Sequence, residues 1–459
     1  MKLQVKSQKS KGTANFLATC DLRFVFLLTF IFCLCSLGFS QNPIPATSQT
    51  KSILLMNGVA HIGNGKVIEN SAIGFKDGKI ILVADATTIK IQQSAYDTTI
   101  NIFGKHVYPG IIAPNSTLGL SEIDAVRATR DLSDIGGYNP HIRSVIAYNS
   151  DSKIPPTVRT NGVLIAQVTP RGGVISGTSS VLELDGWNWE DMVLKTDDGI
   201  HLNWPKMFKR DWEKNEDANE MPPMKKSEEY EKSKTELKKF FSDANAYNET
   251  TAAEKNLRLE AMRGLFNSGK TLFIHVNYVK EIEESVTFAL SQGVKKIVVV
   301  GGTDSWMVTD LLEENKVAVM VNRVHDLPGR TDDDIDLPYK LPALLQKAGV
   351  LFCLENSGDM EQIQSRNIPF LAGTASAYGL TKEEALSSIT LNTAKILGID
   401  SRVGSLEEGK DATLFISTGD ALDIKTNNVE LAFIRGKKLD LTNEQTVLYE
   451  KYKTKYGIK

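Results

Sequence analysis

The feature that most constrains this chain is a rhythm of short, continuous apolar runs separated by amphipathic stretches. Val163-Leu164-Ile165-Ala166-Gln167-Val168, Thr271-Leu272-Phe273-Ile274-His275-Val276 and Lys296-Ile297-Val298-Val299-Val300 read as strands, as do Val317-Ala318-Val319-Met320-Val321 and Val350-Leu351-Phe352-Cys353-Leu354. Residues 280–292, 305–315 and 341–347 carry helical periodicity between them. A strand without polar alternation is buried on both faces, and buried strands separated by helices make a parallel sheet covered by helices. Over this length the sheet is expected to close into a barrel, with an open doubly wound sheet as the alternative. No Gly-x-Gly-x-x-Gly follows any of these strands, so nothing supports dinucleotide binding.

The ends of the chain have a different rhythm. Ile53-Leu54-Leu55-Met56-Asn57-Gly58 is a strand ending in a turn, and residues 72–83 form a hairpin around Asp77-Gly78. Strand signals return at 411–416 and 431–437. The simplest packing joins the two blocks. The expected fold class is therefore α/β: a (β/α)8 TIM-like barrel over 109–402, with a small β-sandwich domain formed from both chain ends, 51–108 and 403–445. Residues 206–239 mix charges of both signs and predict a solvated helical insertion at about 205–260, with a lid or partner surface as the functional alternative.

A length of 459 residues suits one large barrel with a satellite domain. The net charge of -3 gives no reason to expect a nucleic-acid partner. Lys2, Lys6, Lys9 and Lys11 precede an apolar run over 24–39, and Gly38-Phe39-Ser40 offers small residues before Gln41. This succession predicts a signal peptide over 1–40, a linker over 41–50 and an exported, periplasmic or extracellular protein. An uncleaved anchor is the alternative, although the run is short for a span of about 20 apolar residues. Cys20, Cys33 and Cys35 would leave with the signal, so Cys353 would remain alone and no internal disulfide could form.

In barrels of this kind chemistry sits at the C-terminal ends of the strands. Tyr108-Pro109-Gly110-Ile111-Ile112-Ala113-Pro114-Asn115-Ser116-Thr117 leads into the first barrel strand. Together with Thr390-Leu391-Asn392-Thr393-Ala394-Lys395-Ile396-Leu397-Gly398 and Val403-Gly404-Ser405-Leu406-Glu407-Glu408-Gly409-Lys410-Asp411-Ala412, it resembles the amidohydrolase superfamily, most of all its imidazolonepropionase-like subgroup. The resemblance covers nearly all of the chain after residue 40. It implies hydrolysis of carbon–nitrogen bonds in small, often cyclic amides, with zinc or another divalent metal activating water. It also implies where the ligands should stand. Asn115 and Thr117 occupy the His-x-His positions of the first strand, and His275 keeps the fifth-strand His. Gly301 replaces the sixth-strand His, while Asn356 and Ser357 replace the eighth-strand Asp. Neutral oxygens suit a transition metal poorly, so no metal and no other cofactor is expected, and catalysis should be weak or absent.

The remaining candidates follow strand ends. His275 and Asp304 are candidate catalytic groups, as a general base and a proton acceptor. Asn115, Thr117, Asn356 and Ser357 are candidate substrate contacts. Arg171, in the Gly-rich stretch 169–180, supplies a fixed positive charge, and Arg323 with His325 could hold a carboxylate. Trp187, Trp189 and Trp204 run together with Asp197, Asp198 and His201, as a pocket wall or as packing. The expected ligand is a small amide or peptide-like molecule. A non-catalytic exported binding protein, a homo-oligomer and a partner of an active homologue stay open beside the enzyme.

Overall fold

A computed structural model describes residues 44–210, 224–249, 254–330 and 332–458; the expected signal peptide lies outside them. The first strands are β1 (Ile53–His61), β2 (Val67–Lys76), β3 (Lys79–Asp85), β4 (Thr98–Asn101) and β5 (His106–Pro109). The barrel follows with β6 (Ile111–Ser116), β7 (Val163–Val168), β8 (Ile175–Glu183) and β9 (Val193–Asn203). A short hairpin, β10 (Phe208–Arg210) and β11 (Met224–Lys226), precedes β12 (Thr271–Val276), β13 (Ile297–Gly301), β14 (Ala318–Val321) and β15 (Phe352–Leu354). The chain then returns to the first domain as β16 (Leu414–Ser417), β17 (Val429–Ile434) and β18 (Lys437–Lys438).

The terminal blocks do join. β16 pairs antiparallel with β5, and β17 and β18 continue that side. β1 links two halves: its first residues pair with β4 and its last with β5, with a register shift after Met56 and Asn57 at φ 69°. Leu55, Ile73, Phe75, Val107, Leu414, Ile416 and Phe433 fill the space between the halves. The β2–β3 turn uses Asp77 and Gly78 at φ 50° and 77°, the left-handed pair that matches strand twist.

The barrel sheet runs β6–β7–β8–β9–β12–β13–β14–β15, a nearly closed TIM-like barrel. It departs from the expected all-parallel sheet at one strand, because β8 is antiparallel to both β7 and β9. The reason is connection length. Residues 169–174 are all that separate β7 from β8, whereas a parallel crossover needs a dozen residues or more. At the seam between β6 and β15, the Ile112 N–H instead donates to the Ile389 carbonyl. Inside, Ile112, Ile165, Val181, Phe273, Val298, Val300, Met320 and Cys353 form an apolar layer, continued by Ile396, Leu397, Ile399 and Val403.

The charged insertion is less solvated than its composition suggests. Its Tyr230–Asn248 helix buries Leu237, Phe241 and Ala244, and Phe241 meets Phe288 edge-on at 5.2 Å. Residues 211–223 within it lie outside the described residues. Among the described residues no helix is long and apolar enough to cross a membrane.

Candidate functional site

All the parallel barrel strands end at the same face, so Asn115, Thr117, His275, Gly301, Arg323 and Ser357 lie at one end of the barrel. What brings Asn115 inward is its backbone. Strand alternation is broken by a register shift after Ala113, and Asn115 sits at φ 48°, a left-handed conformation that Asn tolerates better than most residues. Its N–H donates to Gln167 Oε1 at 3.0 Å, and its Nδ2 donates to Glu355 Oε2 at 3.3 Å, spanning the seam.

Arg171 arrives from the short β7–β8 connection. Its guanidinium donates to Asn115 Oδ1 (3.0 Å) and to the Asn115 carbonyl (2.7 Å). The same group pairs with Glu361 through Nε (3.1 Å) and Nη2 (3.0 Å), a fork geometry that fixes orientation as well as charge. Glu361 Oε2 also accepts from the Gly358 N–H at 3.0 Å. Glu355 follows β15 and is fully buried. It accepts from the Ser357 N–H (2.6 Å), Ser357 Oγ (2.8 Å) and Asn115. Burial pushes its carboxyl up to about 7, against the pull of the Ser357 hydrogen bonds, with the Glu361 charge adding to the rise.

His275 does not stand alone. His201 lies on neighbouring β9, where Phe273 is its register partner, and its Nδ1 is 2.9 Å from His275 Nε2. His201 is fully buried, stacks on Phe273 at 4.7 Å, and its Nε2 has no partner. His275 above it keeps partial access to solvent. Burial first, and the Arg171 charge second, lower His275 to about 3; burial, His275 and Arg171 likewise hold His201 far down. Both rings are therefore neutral at ordinary pH. Deeper still, Asp198 is fully buried and accepts from Ser179 Oγ (2.7 Å) and Gln167 Nε2 (2.8 Å). Burial raises its carboxyl despite these bonds and the Lys195 charge.

Several sequence candidates have other engagements. Asp304 is buried, but both its oxygens accept from Arg330, at 2.9 and 2.8 Å, and Oδ2 also accepts from the Val279 N–H. It is thus an ion-paired carboxylate at the loop after β13. His325 turns to Thr374 Oγ1 at 2.6 Å. Thr117 and Asn356 are buried, and Asn356 Nδ2 has no partner. The run of Trp and Asp around 187–204 does not form one pocket. Trp187 is exposed, Trp204 packs on Phe288 and donates to Tyr230, and Asp197 pairs with Arg143. A bulge in β9 with Asp197 at φ 52° sends Asp198 inward, away from its neighbour. Gln167 and Glu361 were not foreseen as parts of this site, and His201 was expected with the run of Trp and Asp rather than beside His275. The signal for His201 is its alternation with Asn203 at a strand end; Glu361 gives none before the loops are folded.

Comparison with known proteins agrees with this architecture. Imidazolonepropionase from Flavobacterium psychrophilum is 25% identical over 191 residues, which is 36% of this chain and 46% of that protein. The chain thus spans about half the length of this curated relative. The solved amidohydrolase from Thermotoga maritima MSB8 superimposes with a TM-score of 0.71 at 21% identity, covering 84% of this chain and 99% of that one. Ochratoxinase from A. niger gives 0.51 at 14% identity, over 86% and 98% of the two chains. At these identities the two structures establish the fold alone. The model of the amidohydrolase family itself matches residues 206–439, more than half of the sequence, and the chain belongs to that family.

Proposed function

We propose that this protein keeps the ligand-binding mouth of an amidohydrolase and performs the family reaction, hydrolysis of non-peptide carbon–nitrogen bonds in small amides, weakly or not at all. The observation that carries this reading is the seat of Arg171 on Asn115. A guanidinium is charged at every accessible pH, and here it covers both oxygens of the residue at the first metal-ligand position. A divalent cation beside it would meet a fixed positive charge in a poorly screened site.

The other donors fit a metal no better. His275 Nε2 is engaged with His201, and Glu355 already accepts from three donors. At Gly301 a Cβ would overlap Asn277 Oδ1, so that position presents backbone only. Among the described residues no three His, Cys, Asp or Glu side chains are grouped to share an ion. What the mouth offers instead is neutral and positive hydrogen-bond donors around a partly open imidazole, which suits an amide carbonyl or a carboxylate.

Elemental analysis after dialysis tests this reading, together with hydrolysis of linear and cyclic amides with and without added zinc. Metal content well below one per chain and no stimulation by zinc are expected. One tightly held metal per chain, lost in His275→Ala, would overturn it. We also propose that the protein acts outside the cytoplasm, on the basic, apolar and small-residue order of residues 2–40. N-terminal sequencing of fractionated cells should find a start near Gln41; an intact Met1 in the cytoplasm would refute export.

A further inference from the structure

The Glu444–Tyr456 helix is firmly begun and ended, yet none of its residues is buried. Asn443 and Thr446 cap its start reciprocally, and Gly457 ends it at φ 63°. Its tie to the barrel is in the first turn, where Thr157 Oγ1 donates to Gln445 Oε1 at 2.9 Å. Thr157 lies shortly before β7 begins, so the helix is rooted toward the end of the barrel opposite the mouth. A helix of 13 residues is marginal in water unless something covers an apolar face. What this helix presents therefore indicates what covers it.

Leu448, Tyr452 and Tyr456 follow one another at four-residue steps, Tyr449 stands beside them, and all four are exposed. Residues three and four apart share a helix face, so these side chains form one aromatic stripe. Tyr452 and Tyr456 stack along it, with ring centroids 6.4 Å apart. Helical spacing puts lysines on both borders of the stripe, Lys451 and Lys455 on one side and Lys453 on the other. Each ammonium lies within 5.9 Å of a tyrosine ring centroid. Among the described residues, none of the three lysines pairs with a carboxylate. Glu450 lies on the opposite face, and Glu444 stands two turns away at the start of the helix.

We infer that this helix docks the protein, reversibly, on the surface of an anionic phospholipid bilayer. Tyrosine rings settle at the boundary between headgroups and acyl chains, with the hydroxyl toward water. Lysine stems lie along such a surface while their ammonium groups reach the phosphates. Charge complementarity selects the occupant, because the lysines border the stripe and no acid does. A second copy fits worse: two such stripes laid face to face would set lysine against lysine. The net charge of -3 over the whole chain does not decide the matter, since charges at physiological salt act over only about 8 Å. Rooted opposite the mouth, the helix holds the barrel to the bilayer and leaves the mouth clear of lipid.

The test is co-sedimentation with vesicles of phosphatidylcholine alone and of phosphatidylcholine with one third phosphatidylglycerol. It uses the chain from Gln41, which keeps the whole compact unit Ile44–Lys459 and removes the basic and apolar residues 2–39 as a second source of binding. Binding to the phosphatidylglycerol vesicles should be tenfold or more tighter than to phosphatidylcholine, and high salt should abolish the difference. Replacing Lys451, Lys453 and Lys455 together by Gln should erase the preference, whereas replacing all three by Arg should keep it. Tyr452→Ala with Tyr456→Ala should weaken binding with the lysines intact. Because none of these residues is buried, thermal unfolding of each variant should match the parent. Equal binding to both vesicles, binding to neither, or a preference that survives in the folded Gln variant overturns the inference. Dimerisation without lipid that the tyrosine replacements abolish would put a second copy on the stripe and overturn it as well.

Discussion

Glu355 shows how burial and hydrogen bonding pull one side chain in opposite directions. Ser357 and Asn115 hold its carboxylate form in place, yet removal from water dominates and its carboxyl titrates near 7. The folded protein therefore keeps a proton that the unfolded chain releases at about 4.5. The stability this provides is fully present below about 4.5 and is lost as pH rises through about 7. A shift of that size corresponds to on the order of 3 kcal/mol. His275 acts the other way, because its folded value near 3 makes the unfolded chain take up the proton first as pH falls below 6.5. Glu355→Gln isolates the carboxyl. Denaturant unfolding between pH 5 and 8 should show the variant gaining on the parent as pH rises, with the gap closing below pH 5. A constant gap would mean that Glu355 does not titrate in this window.

At the scale of strands and helices, continuous apolar segments were legible from sequence almost to the residue. β7 and β12 have the expected limits, and the 280–292 helix is Val279–Ser291. β8 and β9 were not legible, because Ser176, Thr178, Ser179 and Ser180 look like a loop and Asp197-Asp198-Gly199 looks like a turn. Their polar side chains are buried because they satisfy one another across strands, as Ser179 does with Asp198, and such pairs leave no mark in a linear pattern. The site divides in the same way. The strand-end rule found Asn115, Arg171, His275 and Ser357, whereas the His201 and Glu361 contacts depend on neighbours far along the chain. The turn at Gly301 yields a prediction of its own. With φ at 97° and Asn277 filling the place of a Cβ, Gly301→His should lose at least about 1–3 kcal/mol from backbone strain alone. It should also fail to take up zinc. Thermal unfolding and metal analysis check both, and a stable, metal-loaded variant would show that this strand end can be rebuilt.

For the molecule as a whole, the two ends of the barrel have separate tasks. The antiparallel β8 carries Glu183 to the end opposite the mouth, where Arg435 Nε from the β17–β18 turn lies 2.6 Å from its Oε2. Nearby, Asp411 binds Lys79 and Arg402 at 2.6 and 2.7 Å, so strands from both chain ends meet the barrel through charge pairs. Glu183 is almost wholly buried, and burial raises it to about 7 against the pull of Arg435. Arg435→Met should cost about 3–5 kcal/mol by leaving a buried acid alone. Adding Glu183→Gln should recover most of that loss, with ligand binding at the mouth unchanged in the pair. Recovery of nothing would place the cost in packing rather than in the charge.

The β domain assembled from both ends also sets a schedule for biosynthesis. β5 is complete at Pro109, but its partner β16 begins only at Leu414, roughly 300 residues later. At about 5–20 residues per second, a ribosome needs roughly 15–60 s to cover that distance. For all of that time the nascent chain holds a bare strand edge with Val107 and Phe75 uncovered. The N-terminal domain is thus the first to be made and the last to be finished.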